Sequence, residues 1–322
     1  MQTKKENNVN KNALSYRLLG APTPAKASGL SFSLATLFPS ILMVVVLAIC
    51  AAVGLLADKE YAERDWYRYI AYLLPQTAFA LVAIFYLRYR QIPLTQAIRR
   101  QKCHPKYFLW ALLLQVGLLS LTELNSLFLL FLERFGYQPT PIVLPSTNGW
   151  GLVGVLVVVA LLPAITEEVF FRGILLDGVK SFGFVKAVLL SGALFALFHQ
   201  NPPQTVYQFC CGAAFALVAL RSGSVLPSML SHLCNNAFII VLYALQIESI
   251  PTPVYLPYII LSAVCLAVAL VYFIWIDKNK PDGEEQGEER TENVKNERKS
   301  FFMFACAGIA LCLLTWVSAL FA

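Results

Sequence analysis

The sequence predicts an all-α membrane protein, a polytopic bundle of eight to nine transmembrane helices. Three observations point there. Of the 322 residues, 58% are hydrophobic and only 14% charged, against roughly 25% charged in an ordinary soluble domain. Apolar runs of about 20 residues, the length a helix needs to cross a bilayer, recur along the chain with short polar punctuation. The basic residues gather in alternate intervals between those runs, the bias that cytoplasmic loops carry.

The elements follow in order. Residues 1–33 are polar and basic and form a cytoplasmic N-terminal tail. The first apolar run, 34–57, is too long for the short core of a cleaved signal peptide, so it is an uncleaved first helix. Spans at 66–88 and 107–132 join it in an accessory unit over 34–149. Four spans, 150–176, 184–200, 204–221 and 225–247, form the segment that carries most of the strongly polar residues. A further transmembrane unit, 248–276, holds the span 255–276. Residues 277–299, DKNKPDGEEQGEERTENVKNERK, offer almost nothing to pack and read as a flexible linker to a last helix in 300–322, the span 301–321.

With the N-terminus cytoplasmic, only Lys59, Arg64, Arg68 and Arg134 of the 25 basic residues fall outside. Tyr86, Tyr89, Tyr107, Trp110, Trp150, Tyr272 and Trp275 stand near span ends, as interfacial aromatic residues do. The net charge of +6 therefore reports topology and attraction to anionic membrane lipids, and no motif suggests a nucleic-acid partner. The eight cysteines sit mostly inside apolar runs without a CxxC pair, as buried free thiols.

Ionisable groups inside membrane spans are costly and are functional candidates by default. Here the strongly polar residues at depth are Glu123, Glu167, Glu168, Arg172, His199, His232, Asn235 and Asn236. His104 lies in a basic loop and is assigned no role. In TEEVFFRG, Glu168 and Arg172 are spaced to pair on one helix face. Glu167 points about 100° away and has no local partner; it is the favoured functional carboxylate, whereas Glu168 fits a packing role equally well. Pro163 removes a backbone donor just before the pair and can bend the helix. Glu167 and His199 are equidistant from Gly183, so a helical hairpin turning there brings a carboxylate and an imidazole to one level, as water activation needs. In SMLSHLCNN, His232 and Asn236 share a face and Asn235 is turned off it. The two offer donors for an oxyanion, or an interhelical polar clamp.

The three stretches resemble the CAAX protease and bacteriocin-processing family of intramembrane endopeptidases, which includes the Rce1-type CAAX prenyl proteases. Its EExxxR, FxxxH and HxxxN patterns appear in order as Glu167 to Arg172, Phe195 to His199 and His232 to Asn236. The resemblance covers about residues 150–247. It implies peptide-bond hydrolysis at a site recessed in the bilayer and usually reached from the cytoplasm, with Glu167 and His199 activating water, His232 and Asn236 holding the oxyanion, and Glu168 and Arg172 in support. The implied partners are protein or peptide substrates, lipid-modified ones included, and the implied place is a bacterial plasma membrane.

No cofactor is required by the motifs. The HExxH motif is absent, yet Glu167, His199 and His232 are a set that zinc could use with one position left for water; the metal-free reading is preferred because Asn236 beside His232 suits an oxyanion better than coordination. Two other functions remain to be weighed: a transporter or proton relay, which the lack of an inverted repeat weakens, and a non-catalytic bacteriocin-immunity protein. Asn201-Pro202-Pro203 directly after His199 poses a question of depth. Either 173–183 protrudes into the cytoplasm, the preferred reading, or the Asn-Pro-Pro turn is buried in protein at membrane depth.

Overall fold

Thr23 opens the first helix: its hydroxyl accepts from the Lys26 amide at 3.3 Å, and Pro24 occupies the first turn, where a missing N–H costs nothing. This helix, α1 (Pro24–Ala52), therefore starts well before residue 34 and takes up the end of the expected tail. The computed structural model describes residues 21–97, 103–139, 143–247, 250–279 and 289–321. Most of the N-terminal tail and the 280–288 part of the linker lie outside them.

The remaining long helices are α2 (Asp65–Arg90), α3 (Lys106–Glu133, interrupted by a 3₁₀ turn at Leu119–Leu121), α4 (Trp150–Phe182), α5 (Phe184–Phe198), α6 (Thr205–Ser222), α7 (Leu226–Ala244), α8 (Thr252–Ile276) and α9 (Glu289–Ala319). No strand occurs among the described residues. Helix α9 begins inside the expected linker. Its polar first turns, rich in helix-forming Glu, Lys and Arg, are tied down: Arg298 donates to the Phe182 carbonyl at 3.0 Å and Thr23 to Glu297 at 3.3 Å.

Eight helices are long and apolar enough to cross a membrane, and α5, with 15 residues, is the short ninth. At 1.5 Å per residue α5 spans about 22 Å, less than a hydrocarbon core of about 30 Å. The turn after it is consequently sunk into the bundle. Pro202 is buried, Asn125 of α3 donates to the Pro203 carbonyl and accepts from the Tyr207 amide at 3.1 Å, and Trp316 of α9 donates to Thr205 at 2.8 Å. Helix α3 continues from Asn125 to Glu133, about 12 Å further. The Asn-Pro-Pro turn is thus covered by protein at depth, the alternative to a protruding 173–183. That segment instead packs on α1, where Ser28 donates to the Ile174 carbonyl at 2.7 Å and Leu175, Leu176 and Val179 are buried.

Helices α5 and α6 meet through glycine. A Cβ added at Gly212 would lie 2.9 Å from Gly192 Cα, and one at Gly192 would lie 2.8 Å from the Phe209 carbonyl oxygen. Such close backbone approach is how membrane helices gain contact without a hydrophobic driving force. Gly192→Leu should therefore force α5 off α6 and lower the melting temperature in detergent by several degrees. Ile41→Leu, on the half-exposed flank of α1, should not; equal melting temperatures for the two variants would contradict this packing.

Candidate active site

Pro163 sits near the middle of α4 and offers no N–H to the Val159 carbonyl one turn earlier. The helix absorbs the break with wider π turns at Leu156–Leu161 and Val169–Leu175, on either side of Glu167 and Glu168. Such bulges are frequent at functional sites because they re-aim side chains. Asn236 of α7 fills the gap at the proline: its Nδ2 donates to the Val159 oxygen at 3.2 Å.

Glu168 lies at the centre of the bundle, with 0% of its surface exposed, as is Arg172. Arg172 Nη1 donates to Glu168 Oε1 at 2.8 Å, and Nη2 to the Gly212 carbonyl at 3.1 Å. The guanidinium also lies 4.5 Å from the Phe195 ring centroid, with Phe215 and Phe171 at 5.2 and 5.7 Å. Aromatic faces stabilise a desolvated cation in the way water otherwise would. His232 Nδ1 stands 3.0 Å from the same Glu168 oxygen. A carboxylate paired with arginine can only accept there, so Nδ1 carries the proton. Phe215 stacks on the imidazole at 5.5 Å.

Glu167 faces the other way, with 8% exposed. Gln76 of α2 donates to its Oε1 at 3.2 Å, and Thr166 donates to Gln76 Oε1, which fixes the orientation of that amide. The second carboxylate oxygen, Oε2, lies 3.9 Å from His232 Nε2. His199 ends α5 with Nδ1 at 2.8 Å from the Phe195 carbonyl. Because a carbonyl only accepts, Nδ1 bears the hydrogen and Nε2 is the lone-pair atom of the neutral ring. Asn235, buried off the shared face, accepts from Gln115 at 2.9 Å and Tyr207 at 2.7 Å, then donates to Asn236 Oδ1 at 3.2 Å. With its oxygen occupied, Asn236 is oriented to present its amide hydrogens, one to Val159 and one free.

Glu167, His199, His232 and Asn236 all line one cavity of about 470 Å³ between α2, α4, α5, α6 and α7, together with Gln76, Gln204 and Gln208. Two other sequence candidates lie elsewhere. Glu123 is on the outer half of α3 against Tyr255, and His104 accepts from the Lys106 amide at the start of α3. Glutamines 76, 115, 204 and 208 escaped the sequence reading, which weighed charged residues, histidine and asparagine at depth. The signal was present: LLPQTAFA and ALLLQVGLL each hold a glutamine whose amide must find a partner in hydrocarbon.

Zinc would need Glu167, His199 and His232 to converge. Among the described residues no three His, Cys, Asp or Glu side chains are placed to hold a metal ion, although the hydrogen bonds at Nδ1 leave Nε2 of both cavity histidines as the atoms that would face one. No step below is routed through a metal.

Residues 149–238 match the family model for the Rce1-like type II CAAX prenyl endopeptidases. The match spans 90 of the 322 residues and marks an Rce1-like domain there, which supports the resemblance to the CAAX proteases. The matched region runs from the start of α4 into α7, the helices that hold all four cavity residues. No curated protein and no solved structure matches the chain. The family is one of membrane proteases, which fits an Rce1-like domain embedded in eight candidate spans.

The buried pair generates a stability test. Glu168→Gln strands the Arg172 charge, and breaking a buried ion pair from one side costs about 3–5 kcal/mol. The double variant Glu168→Gln/Arg172→Gln should recover part of that loss in thermal melts. Simple additivity of the two single losses would show that the pair is not coupled.

Proposed function

We propose that this Rce1-like protein is an intramembrane endopeptidase in which Glu167 and His199 activate a water molecule and His232 and Asn236 hold the oxyanion. The observation that supports it most is that four residues from three separate motifs line one cavity while Glu168 and Arg172 hold His232 from behind. Glu167 Oε2 and His199 Nε2 are the two lone-pair atoms left for water. One takes a proton as the water oxygen attacks the scissile carbonyl carbon.

The carbonyl oxygen then carries the negative charge. The free Asn236 amide hydrogen is one donor for it. His232 can be the second through Nε2, since Nδ1–H is committed to Glu168; to do so it must carry both ring protons, and the Glu167 and Glu168 carboxylates flank that cation. Donors fixed before reaction stabilise the developing charge without the reorientation that water must undergo. Collapse of the tetrahedral intermediate breaks the C–N bond, and the proton taken from water passes to the leaving amine. The substrate is a peptide segment of a protein, and parallel assays of prenylated and unmodified peptides distinguish a lipid requirement.

Glu167→Gln keeps size and hydrogen bonding to Gln76 but removes the base. Turnover of a peptide library by purified protein in nanodiscs, read by mass spectrometry, should fall by at least 10²-fold, with the melting temperature unchanged. Near-normal cleavage by this variant would overturn the assignment. Dialysis against a strong chelator should leave the wild-type rate intact. A loss restored only by added zinc would instead make Glu167, His199 and His232 its ligands and require them to move together.

A further inference from the structure

The side from which the cavity is reached follows from the helix ends that border it. One face of the bundle gathers the start of α1, the α4–α5 hairpin, the ends of α2, α6 and α8 and the starts of α3 and α9. Contacts there include Arg90 to the Pro22 carbonyl, Tyr107 to Asp277 at 2.9 Å and Arg221 to the Asn279 carbonyl at 2.9 Å. The opposite face gathers the starts of α2 and α4 and the end of α7.

Towards the first face the cavity is closed by an aromatic floor. Phe79 packs on Phe170 and Phe198, each at 4.9 Å, and Phe171 on Phe195 at 5.0 Å. Each of these phenylalanines lies on the first-face side of the cavity residue on its own helix, and below them Ile174, Leu175, Leu176 and Val179 are buried. Towards the second face the cavity continues into a vestibule of about 1040 Å³, with which it shares Leu144, Ile239 and Tyr243. The vestibule is polar, lined by Asp65, Arg68, Ser146, Thr147, Asn148 and Gln246. Its rim is tied to α2: the Asp65 carboxylate accepts from the Ser146 amide at 2.9 Å, and Arg68 donates to the Leu144 carbonyl at 3.3 Å.

The charge bias orients the two faces. Lys26, Arg88, Arg90, Lys106, Lys180, Lys186, Arg221, Lys278 and Arg298 cluster on the floor side, while Lys59, Arg64, Arg68 and Arg134 are on the vestibule side. Cytoplasmic segments carry the excess of Lys and Arg. We propose that the cavity is served from the extracytoplasmic face, so that its substrates are extended peptide segments presented on that side, in exported or membrane-tethered precursors, rather than cytoplasmic C-terminal tails. The direction of access is opposite to that implied by the family resemblance; the substrate class rests on the hydrolase reading above.

The test separates access from catalysis. In a chain carrying Cys103→Ser, Ile239→Cys lies inside the cavity and Lys186→Cys on the floor side. A membrane-impermeant maleimide added to intact cells should label Ile239→Cys, and Lys186→Cys only after permeabilisation. Failure to label Ile239→Cys from outside, or labelling of Lys186→Cys from outside, overturns the proposal. Ser146→Cys, exposed in the vestibule, gives the same reading should Ile239→Cys fail to insert. A second arm offers a membrane-impermeant fluorogenic peptide library to right-side-out and inverted vesicles. Cleavage at least tenfold faster in right-side-out vesicles supports the proposal; cleavage confined to inverted vesicles overturns it and leaves the hydrolase reading standing. If detergent-solubilised protein also cleaves nothing, the hydrolase reading falls and the substrate class with it, while the labelling still decides the direction of access.

Discussion

A carboxylate with no exposed surface in the middle of a membrane bundle is tolerable only if its charge is matched, and Glu168 is the constraint around which this site is arranged. Arg172, one turn along, supplies the opposite charge; Phe171, Phe195 and Phe215 surround the guanidinium; the Gly212 carbonyl takes another of its hydrogens. That last contact needs α6 close to α4 and α5, which the glycine crossing of α5 and α6 allows. His232 then bonds to the same oxygen of Glu168 and is held with Nε2 towards Glu167. Such a pair is weak evidence for stability, because desolvation offsets much of its attraction. What it supplies here is a fixed tautomer and a fixed ring, as a carboxylate does for the histidine of serine-protease triads.

Proline and a short helix complete the geometry. Pro163 frees a carbonyl that Asn236 satisfies, so α4 and α7 are joined at the level of the cavity by a bond that a regular helix would not offer. The 15-residue α5 cannot reach the far surface, which brings His199 and the following turn down to the depth of Glu167. A wet cavity in the bundle interior is then possible without exposing unpaired backbone to lipid, since Asn125, Trp316 and Gln76 fill the remaining needs.

The helices were legible from composition, because hydropathy at the 20-residue scale is set by the bilayer itself. Less legible were the helix starts at Pro24 and Glu289, where polar residues continue a helix beyond the hydrocarbon and tertiary contacts hold them. The spacing of Glu168 and Arg172 announced their pair, and the symmetric counts about Gly183 put Glu167 and His199 at one level. Spacing could not announce the hydrogen bond from His232 to Glu168 or the path from Gln115 and Tyr207 through Asn235 to Asn236, because these join helices far apart in sequence. Nor could it decide the depth of the Asn-Pro-Pro turn, which depends on Asn125 and Trp316 arriving from α3 and α9.

The chain has three histidines, so nitrogen-15 NMR of the imidazole rings in a detergent micelle resolves them individually. It reads most directly whether Glu168 positions the His232 imidazole. His199 should appear neutral with the hydrogen on Nδ1, and His232 with Nδ1 protonated and hydrogen-bonded; Glu168→Gln/Arg172→Gln should shift the His232 signals and leave those of His199 in place. A His232 ring that carries its only hydrogen on Nε2, or one indifferent to the loss of Glu168, would contradict the account.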